Sequence, residues 1–458
     1  MEIKDNLTAE SIAPKLVRFW QLSGNKIKSI DQHYDESKGA PVFTQAGKYT
    51  TRGWTEWTQG FQHGSAILQY DATGDASFLE LGRNKTLEKM ASHVSHMGVH
   101  DHGFNNVSTY GNLLRLMNEG KISQNIHEKG TYELALKLSG AVQAARWTDI
   151  QDGGFIYSFN GPHSLFVDTV RTIRAMEVGH LLGHYLPGEQ DEHFSLLKRA
   201  IQHAKATAKY CVFYGEGRDQ YDEWGRTAHE SVFNTNNGVY RCPNSQQGFS
   251  GFTTWTRGLS WAMLGFAEQL EFLESIDSAE LNELGGIDEI KSIFLKAAKA
   301  TCDFYIDNSS LDGITYWDTG GPNMHKLGQY QSRIAEPDNA FEPVDSSASA
   351  IGAQGLIRLG KYLTERNDSD GKRYYNAGLT ISDTLLEDTY LSTSDDHQGL
   401  LLHSIYHHPN GWDFTPEGSK VPNGESSMWG DYHFRELMLL LHRMNKGESY
   451  YTFFSGLV

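Results

Sequence analysis

The stretch TTWTRGLSWAMLGF, residues 253–266, sets the reading of the whole chain. From Arg257 onward the apolar residues Leu259, Ala262, Met263 and Phe266 recur at helical spacing, so a buried helix starts here, with Trp255 on the loop that feeds it. Trp255, Arg257 and Trp261 put flat aromatic faces and a forked cation at that helix mouth. Aromatic faces stack on sugar rings, and guanidinium pairs with carboxylate in a bidentate manner. The plainer alternative is that the tryptophans are core packing and the arginine is incidental to the helix start.

The same periodicity recurs on both sides. Helix-like segments fall at about 8–22, 57–73, 77–97, 111–119, 130–147, 168–186, 193–213, 257–275, 288–307, 345–366, 371–389 and 429–444, while strand alternation is scarce. Short turns join some neighbours, as in ATGDAS at 72–77, where Gly74 suits a helix C-cap and Asp75 the next N-cap. Longer connections alternate with them: QDGGFIYSFNGPHS at 151–164, the run from Tyr214 to Thr254, and ITYWDTGGPNMHKLGQYQ at 314–331. Short turns at one end of helical hairpins and long loops at the other predict an all-α fold, an (α/α)6 barrel. Ordinary cores stop growing at roughly 250–300 residues. A closed toroid lets all 458 residues form one domain, with 1–50 as N-terminal helix and lead-in. An α-solenoid fits less well, because no fixed-period repeat is visible.

Hydrophobic residues make up 39% of the chain and aromatics 12%, enough for a large core, and the formal net charge is −17. That charge disfavours nucleic acid and anionic membranes as partners, although a local arginine or histidine cluster can still receive an acidic substrate. Cys211, Cys242 and Cys302 are odd in number and lack metal spacing, which points away from a disulfide framework. The N-terminus MEIKDNLTAESIAPKL has no signal-peptide pattern, so the expected location is cytoplasmic, or periplasmic if a signal peptide has been removed. No apolar run approaches the roughly 20 residues that span a bilayer.

Two aspartates sit where chemistry can be done. Asp101 lies in MGVHDHGFNNVSTYG between His100 and His102, in a segment too rich in glycine, asparagine and histidine to be expected in a core. A metal pair or a solvated loop is the alternative there, but zinc-site spacing is absent and no metal is expected. Asp168 follows the apolar run Leu165, Phe166, Val167 and opens a helix, where an N-cap role is the competing explanation. His407-His408 and His93/His96 read as surface or packing histidines. His229, Gln247, Trp255, Arg257 and Trp261 combine neutral hydrogen bonding, a switchable imidazole, a guanidinium and two ring faces, the mixture a uronic acid requires.

These segments carry a resemblance. HDHGF (100–104), FVDTV (166–170), the stretch from GRTAH to LGF (225–266), ITYWDTGGP (314–322), VDSSASAIGAQGL (344–356) and GESSMWGDYHFRELM (424–438) resemble the ordered motifs of glycoside hydrolase family 88, the unsaturated glucuronyl hydrolases. WTQGFQHGSAILQYDATGD (57–75) resembles the family's first hairpin. The resemblance implies an (α/α)6 barrel without metal or organic cofactor. It implies an unsaturated oligosaccharide as partner, a fragment left by a polysaccharide lyase, with a 4,5-unsaturated uronic acid at its non-reducing end. By resemblance Asp168 is the general acid/base and Asp101 the assisting aspartate. His100, His229, Gln247, Trp255, Arg257, Trp261, Phe159, Trp57, Ser426 and Ser427 are the expected substrate-binding positions, with Arg257 orienting the acidic sugar.

Such a substrate is a vinyl ether, hydrated by protonation at carbon 4 and water addition at carbon 5. Asp168 can serve as both acid and base only with a pKa near working pH, which burial and Asp101 would promote. A standard inverting glycosidase on saturated glucuronides, with Asp101 and Asp168 as separate acid and base, is the alternative, and a non-catalytic carbohydrate-binding barrel is another. The chain departs from the family pattern at Gln62, for which Trp54 or Trp57 could compensate, at Phe159, at Val344, and at Arg171, Thr172 and Arg174. The added arginines beside Asp168 are expected either to contact a sulfate or second carboxylate or to face solvent.

Overall fold

The computed structural model describes residues 1–53 and 57–457; Trp54, one of the two compensating aromatics considered, lies outside the described residues. Among the described residues, the helices form two concentric rings. The inner ring comprises Gln59–Thr73, Gly103–Gly111 running into Asn112–Asn118, the pair Thr169–Thr172 and Arg174–Leu181, then Thr256–Leu273, Ser346–Thr364 and Met428–Lys446. Each packs on the next, and Met428–Lys446 packs back on Gln59–Thr73, closing the ring. The outer ring comprises Ala9–His33, Ala76–Lys89, Ile126–Ala144, Leu196–Tyr210, Ile287–Asn308 and Gly371–Leu385. This is the (α/α)6 barrel.

Burial explains the division. In Thr256–Leu273 every residue except Glu271 is buried, as befits a helix packed on all sides. Outer helices are amphipathic: Leu196–Tyr210 turns Leu196, Leu197, Ala200, Ile201 and Ala204 inward at helical spacing. The first helix runs to His33, well past the expected end near 22, and packs on Met428–Lys446 and Gln59–Thr73. It is the outer member of the closing hairpin. The expected caps at 74–75 are present: Gly74 adopts φ 73°, and Asp75 accepts from Ser77 N.

Two details differ from the sequence reading. Residues 103–111, expected outside the core, form a wholly buried π-helical segment. Bonding lets most of their polar groups tolerate burial: Asn105 accepts from Gly60 N at 2.8 Å, and Asn106 donates to His93 O at 3.1 Å and Ser139 Oγ at 2.9 Å, while Asn106 Oδ1 and Ser108 Oγ have no partner among the described residues. Gly103 lets this helix meet its neighbour backbone to backbone; a Cβ there would lie 2.0 Å from Thr172 O. The long loops also carry short strands, including the hairpin Trp147–Ile150 with Gly153–Ile156 and the three-stranded set Ser164–Phe166, Glu230–Asn234 and Val239–Asn244. Runs of three to six residues are too short for alternation to declare itself.

Arg171 and Arg174 meet neither expectation, since both are fully buried inside the ring. Arg171 Nη2 donates to Glu436 Oε2 at 2.8 Å, and its Nε lies 2.6 Å from Glu268 Oε2. Arg174 Nη1 donates to Glu268 Oε1 at 3.4 Å. Burial pushes Glu268 up to about 7 against the pull of Arg171. Burial also opposes ionisation of Glu436, but Arg171 and His433 outweigh it and hold that carboxyl below its ordinary value.

Arg171→Met should therefore destabilise the fold by about 3–5 kcal/mol, the cost of orphaning a buried charge. Without Arg171 both carboxyls titrate higher in the folded than in the unfolded chain, so the folded state is penalised once pH rises above the unfolded value. Urea unfolding should show a larger loss at pH 8 than at pH 5. An equal loss at both would mean that Arg171 acts through packing alone.

Candidate active site

The chain alternates between outer and inner helices, so all six inner helices begin at the same end of the barrel. A cleft of about 580 Å³ opens there. On one wall stand His100, Asp101 and Asp168. Asp101 lies two residues before the buried π-helical segment, and Asp168 follows strand Ser164–Phe166 at the start of Thr169–Thr172. The Asp168 side chain makes no capping bond, so the N-cap explanation falls away.

His100 Nε2 lies 3.3 Å from Asp168 Oδ2 and 3.7 Å from Asp101 Oδ1. Its ring is stacked on Phe159 at 5.7 Å and set edge-on to Phe166. Gln143 Nε2 and Thr172 Oγ1 both donate to His100 O at 2.7 Å, anchoring the backbone. Asp168 Oδ1 is buried with no hydrogen-bond partner among the described residues.

The electrostatics of this cluster reverse one expectation. Burial is the largest influence on Asp168 and opposes its ionisation, but the hydrogen bond and charge of His100, with smaller contributions from His229 and a backbone N–H, together hold the carboxyl below its ordinary value. Burial raises Asp101, with Asp168 adding to the rise and His100 only partly countering it. Burial likewise disfavours the His100 cation, yet the two aspartates outweigh it and raise the imidazole above 6.5. The groups titrate together, with the proton resting on His100 rather than on Asp168.

The second histidine of HDH turns away. His102 bonds to Ser139 Oγ at 3.0 Å and His96 O at 2.9 Å, so His100 and His102 are not a metal pair. His100, Asp101 and Asp168 have ligand atoms within 4.8 Å of one another and are the residues that could hold an ion.

Gln247, Trp255, Arg257 and Trp261 also line the cleft, as do Phe159 and Trp57, the last stacked on Trp429 at 5.0 Å. Trp255 and Trp261 are almost fully buried, so packing and cleft lining are both true of them. Arg257 corrects the expectation of a free fork for the sugar acid. Its Nη1 donates to Asp345 Oδ2 at 2.7 Å and to Ile405 O, and its Nη2 donates to Gln247 Oε1 at 2.9 Å and Tyr406 O at 2.7 Å. Both terminal nitrogens are committed, and only 1% of the residue is exposed.

His229, unlike Arg257, does not line the cleft. It sits behind the wall between Phe166 and Trp255, and Nδ1 accepts from Gln246 N at 3.0 Å and Gln247 N at 3.3 Å. Burial brings its pKa down to about 4, so it is neutral and positions the glutamine loop. Ser426 and Ser427 stand outside the cleft. Ser427 Oγ accepts from Gly430 N at 3.1 Å as a helix cap, and Ser426 N donates to Thr44 Oγ1 at 2.8 Å. Of the departures Gln62, Phe159 and Arg171, only Phe159 reaches the cleft.

Sequence reasoning missed Arg52, Tyr406, Asn410 and Trp412 in the lining, and placed His407 at the surface or in packing. The available signal was HHPNGW at 407–412, a turn sequence with an aromatic inside a long connection.

No family model matches the chain. It is 28% identical over 406 residues to the unsaturated glucuronyl hydrolase of Bacillus sp. (strain GL1), covering 87% of this chain and 89% of the relative. It is 23% identical over 447 residues to the unsaturated chondroitin disaccharide hydrolase of Streptococcus pyogenes serotype M1, covering 96% and 93%. The crystal structure of an unsaturated glucuronyl hydrolase from Streptococcus agalactiae superposes with a TM-score of 0.70 at 21% identity, covering 97% of this chain and 94% of that one, and shares the fold. Over most of its length the chain is thus similar to unsaturated glucuronyl hydrolases, in line with the resemblance of its motifs to glycoside hydrolase family 88.

Proposed function

We propose that the protein removes a 4,5-unsaturated uronic acid from the non-reducing end of lyase-generated oligosaccharides by hydrating the vinyl ether. The similar proteins are named an unsaturated glucuronyl hydrolase and an unsaturated chondroitin disaccharide hydrolase, names that fit this reading. The observation that carries the reading is the single cluster of His100, Asp101 and Asp168, with ligand oxygens and nitrogen within 4.8 Å. An inverting glycosidase needs its carboxylates roughly 6.5–9.5 Å apart to admit a water between them and the sugar. Two carboxylates gathered on one imidazole suit a reaction in which one group gives a proton and takes one back.

In this mechanism His100 holds the cluster's proton and passes it to Asp168 across the 3.3 Å contact. Asp168 delivers it to carbon 4, and the charge developing at carbon 5 is met by water. Asp168, now a carboxylate again, removes the proton that water loses. The product is a hemiketal, which opens to a ketone and releases the leaving sugar. Asp101 stabilises the charged His100 and offers its carboxyl to the sugar hydroxyls. No helix among the described residues is long and apolar enough to cross a membrane.

Asp168→Asn should lower kcat by about 10²–10⁴-fold, the usual range for losing a general acid/base. The assay follows loss of the double bond's ultraviolet absorbance from lyase-generated disaccharides. Full turnover in the variant would overturn the assignment, and release of glucuronate from a saturated glucuronide, with no absorbance loss on the lyase products, would favour the conventional glycosidase.

His100→Gln should reshape the pH profile. Because His100 is raised, the activity that depends on its proton persists below its folded pKa and is lost as pH rises through it. Without the imidazolium, Asp168 loses the partner that depresses it, and the acid limb of kcat/KM should move to higher pH. An unmoved acid limb would show that His100 does not set the ionisation of Asp168.

A further inference from the structure

This inference rests on the hydrolase reading and concerns how the substrate's charge is held. A uronate brings a carboxylate into a cleft whose reacting wall already carries Asp101 and Asp168, so an opposing cation has to stand elsewhere in the lining. Arg257 does not supply it, since its charge is neutralised by Asp345 and its terminal nitrogens are spent on protein acceptors. His407 lines the cleft too, but burial brings it down to about 4 and leaves it neutral.

That leaves Arg52. Its side chain is exposed at the cleft and lies over the Trp412 ring at 4.2 Å from the centroid. No carboxylate among the described residues pairs with it. Trp412 is a fixed platform: its ring packs on Tyr406 at 5.3 Å and His407 at 4.7 Å, and Asp413 accepts from the backbone nitrogens of both. Arg257 clamps the same loop at Ile405 O and Tyr406 O. A guanidinium lying on an indole keeps its N–H edge available for two oxygens of an oxyanion.

We propose that Arg52, seated on Trp412, is the residue that reads the substrate's anionic group, pairing with a carboxylate or sulfate-ester oxygen of the incoming oligosaccharide. Arg257 acts one step behind it as the clamp of the loop and of Gln247. The uronate itself and a sulfated neighbouring sugar present the same oxyanion chemistry, and kinetics separates them.

The test compares wild type, R52Q and R52K on two unsaturated disaccharides, one with a neutral leaving sugar and one whose leaving sugar carries a sulfate ester. R52Q should raise KM about tenfold, the scale of one charge-assisted contact, with kcat within about twofold, and R52K should recover part of the loss. Added salt should raise KM in wild type but not in R52Q. An equal rise on both disaccharides places the uronate carboxylate on Arg52, and a rise confined to the sulfated one places the sulfate there. Unchanged KM and salt dependence in R52Q overturn the proposal. Wild-type turnover on the same disaccharides reads the hydrolase assignment separately. Should wild type turn over neither, quenching of tryptophan fluorescence by the two disaccharides decides the matter: weaker quenching by either one in R52Q supports the role of Arg52, and quenching by both unaltered in R52Q overturns it.

Discussion

The constraint on which the structure depends is the closure of the inner ring with all its helices pointing one way. A closed ring of hairpins returns the chain to the same end before each inner helix, so six helix starts and the connections that lead into them are gathered there. Chemistry follows from that placement. Asp101, Asp168, Arg257 and the Asp345 that neutralises it all lie at or near the starts of inner helices, far apart in sequence and adjacent in space. The positive ends of the helix dipoles also converge on this end, a favourable background for a substrate carrying a carboxylate.

Closure requires close approach, and close approach leaves charge with nowhere to go but into pairs. Gly103 and Gly355 allow neighbouring inner helices to meet backbone to backbone. In the space that remains, Arg171 is held between Glu268 and Glu436, and Arg358 pairs with Glu271 at 2.8 Å. The charges near Asp168 in sequence are thus internal to the barrel. They leave the local charge of the cleft to His100, its two aspartates and Arg52.

Most of the ring helices were legible because they span several turns, enough for the apolar period to repeat, and the alternation of shorter and longer connections implied their arrangement. Asp101, Asp168 and the tryptophans were legible from residue type and setting. What could not be read is which way a side chain spends its bonds. Arg257 looks like an anion receptor because guanidinium pairs with carboxylate, and it does pair with one, but the carboxylate is Asp345 from a distant helix start. His229 likewise faces a peptide loop, and Ser427 caps a helix. The buried π-helical segment escaped because asparagines bonded to partners dozens of residues away are indistinguishable in sequence from asparagines bonded to water.

The clamp around Arg257 explains how a residue can matter to recognition without touching the ligand. Its guanidinium lies between the rings of Trp255 and Trp429, at 4.6 and 4.9 Å, while its nitrogens tie Asp345, Gln247 and the carbonyls of residues 405 and 406 to one point. Those tethers come from the loops before three different inner helices, and the groups they fix include the loop beneath Trp412. The ordering cost of bringing these loops together is met on folding, with a buried ion pair and satisfied carbonyls offsetting it. An incoming sugar then finds Gln247, Trp412 and His407 already in place, so binding has little left to order. A flexible arginine reaching into an open cleft would provide the same charge but would have to be ordered on each binding event.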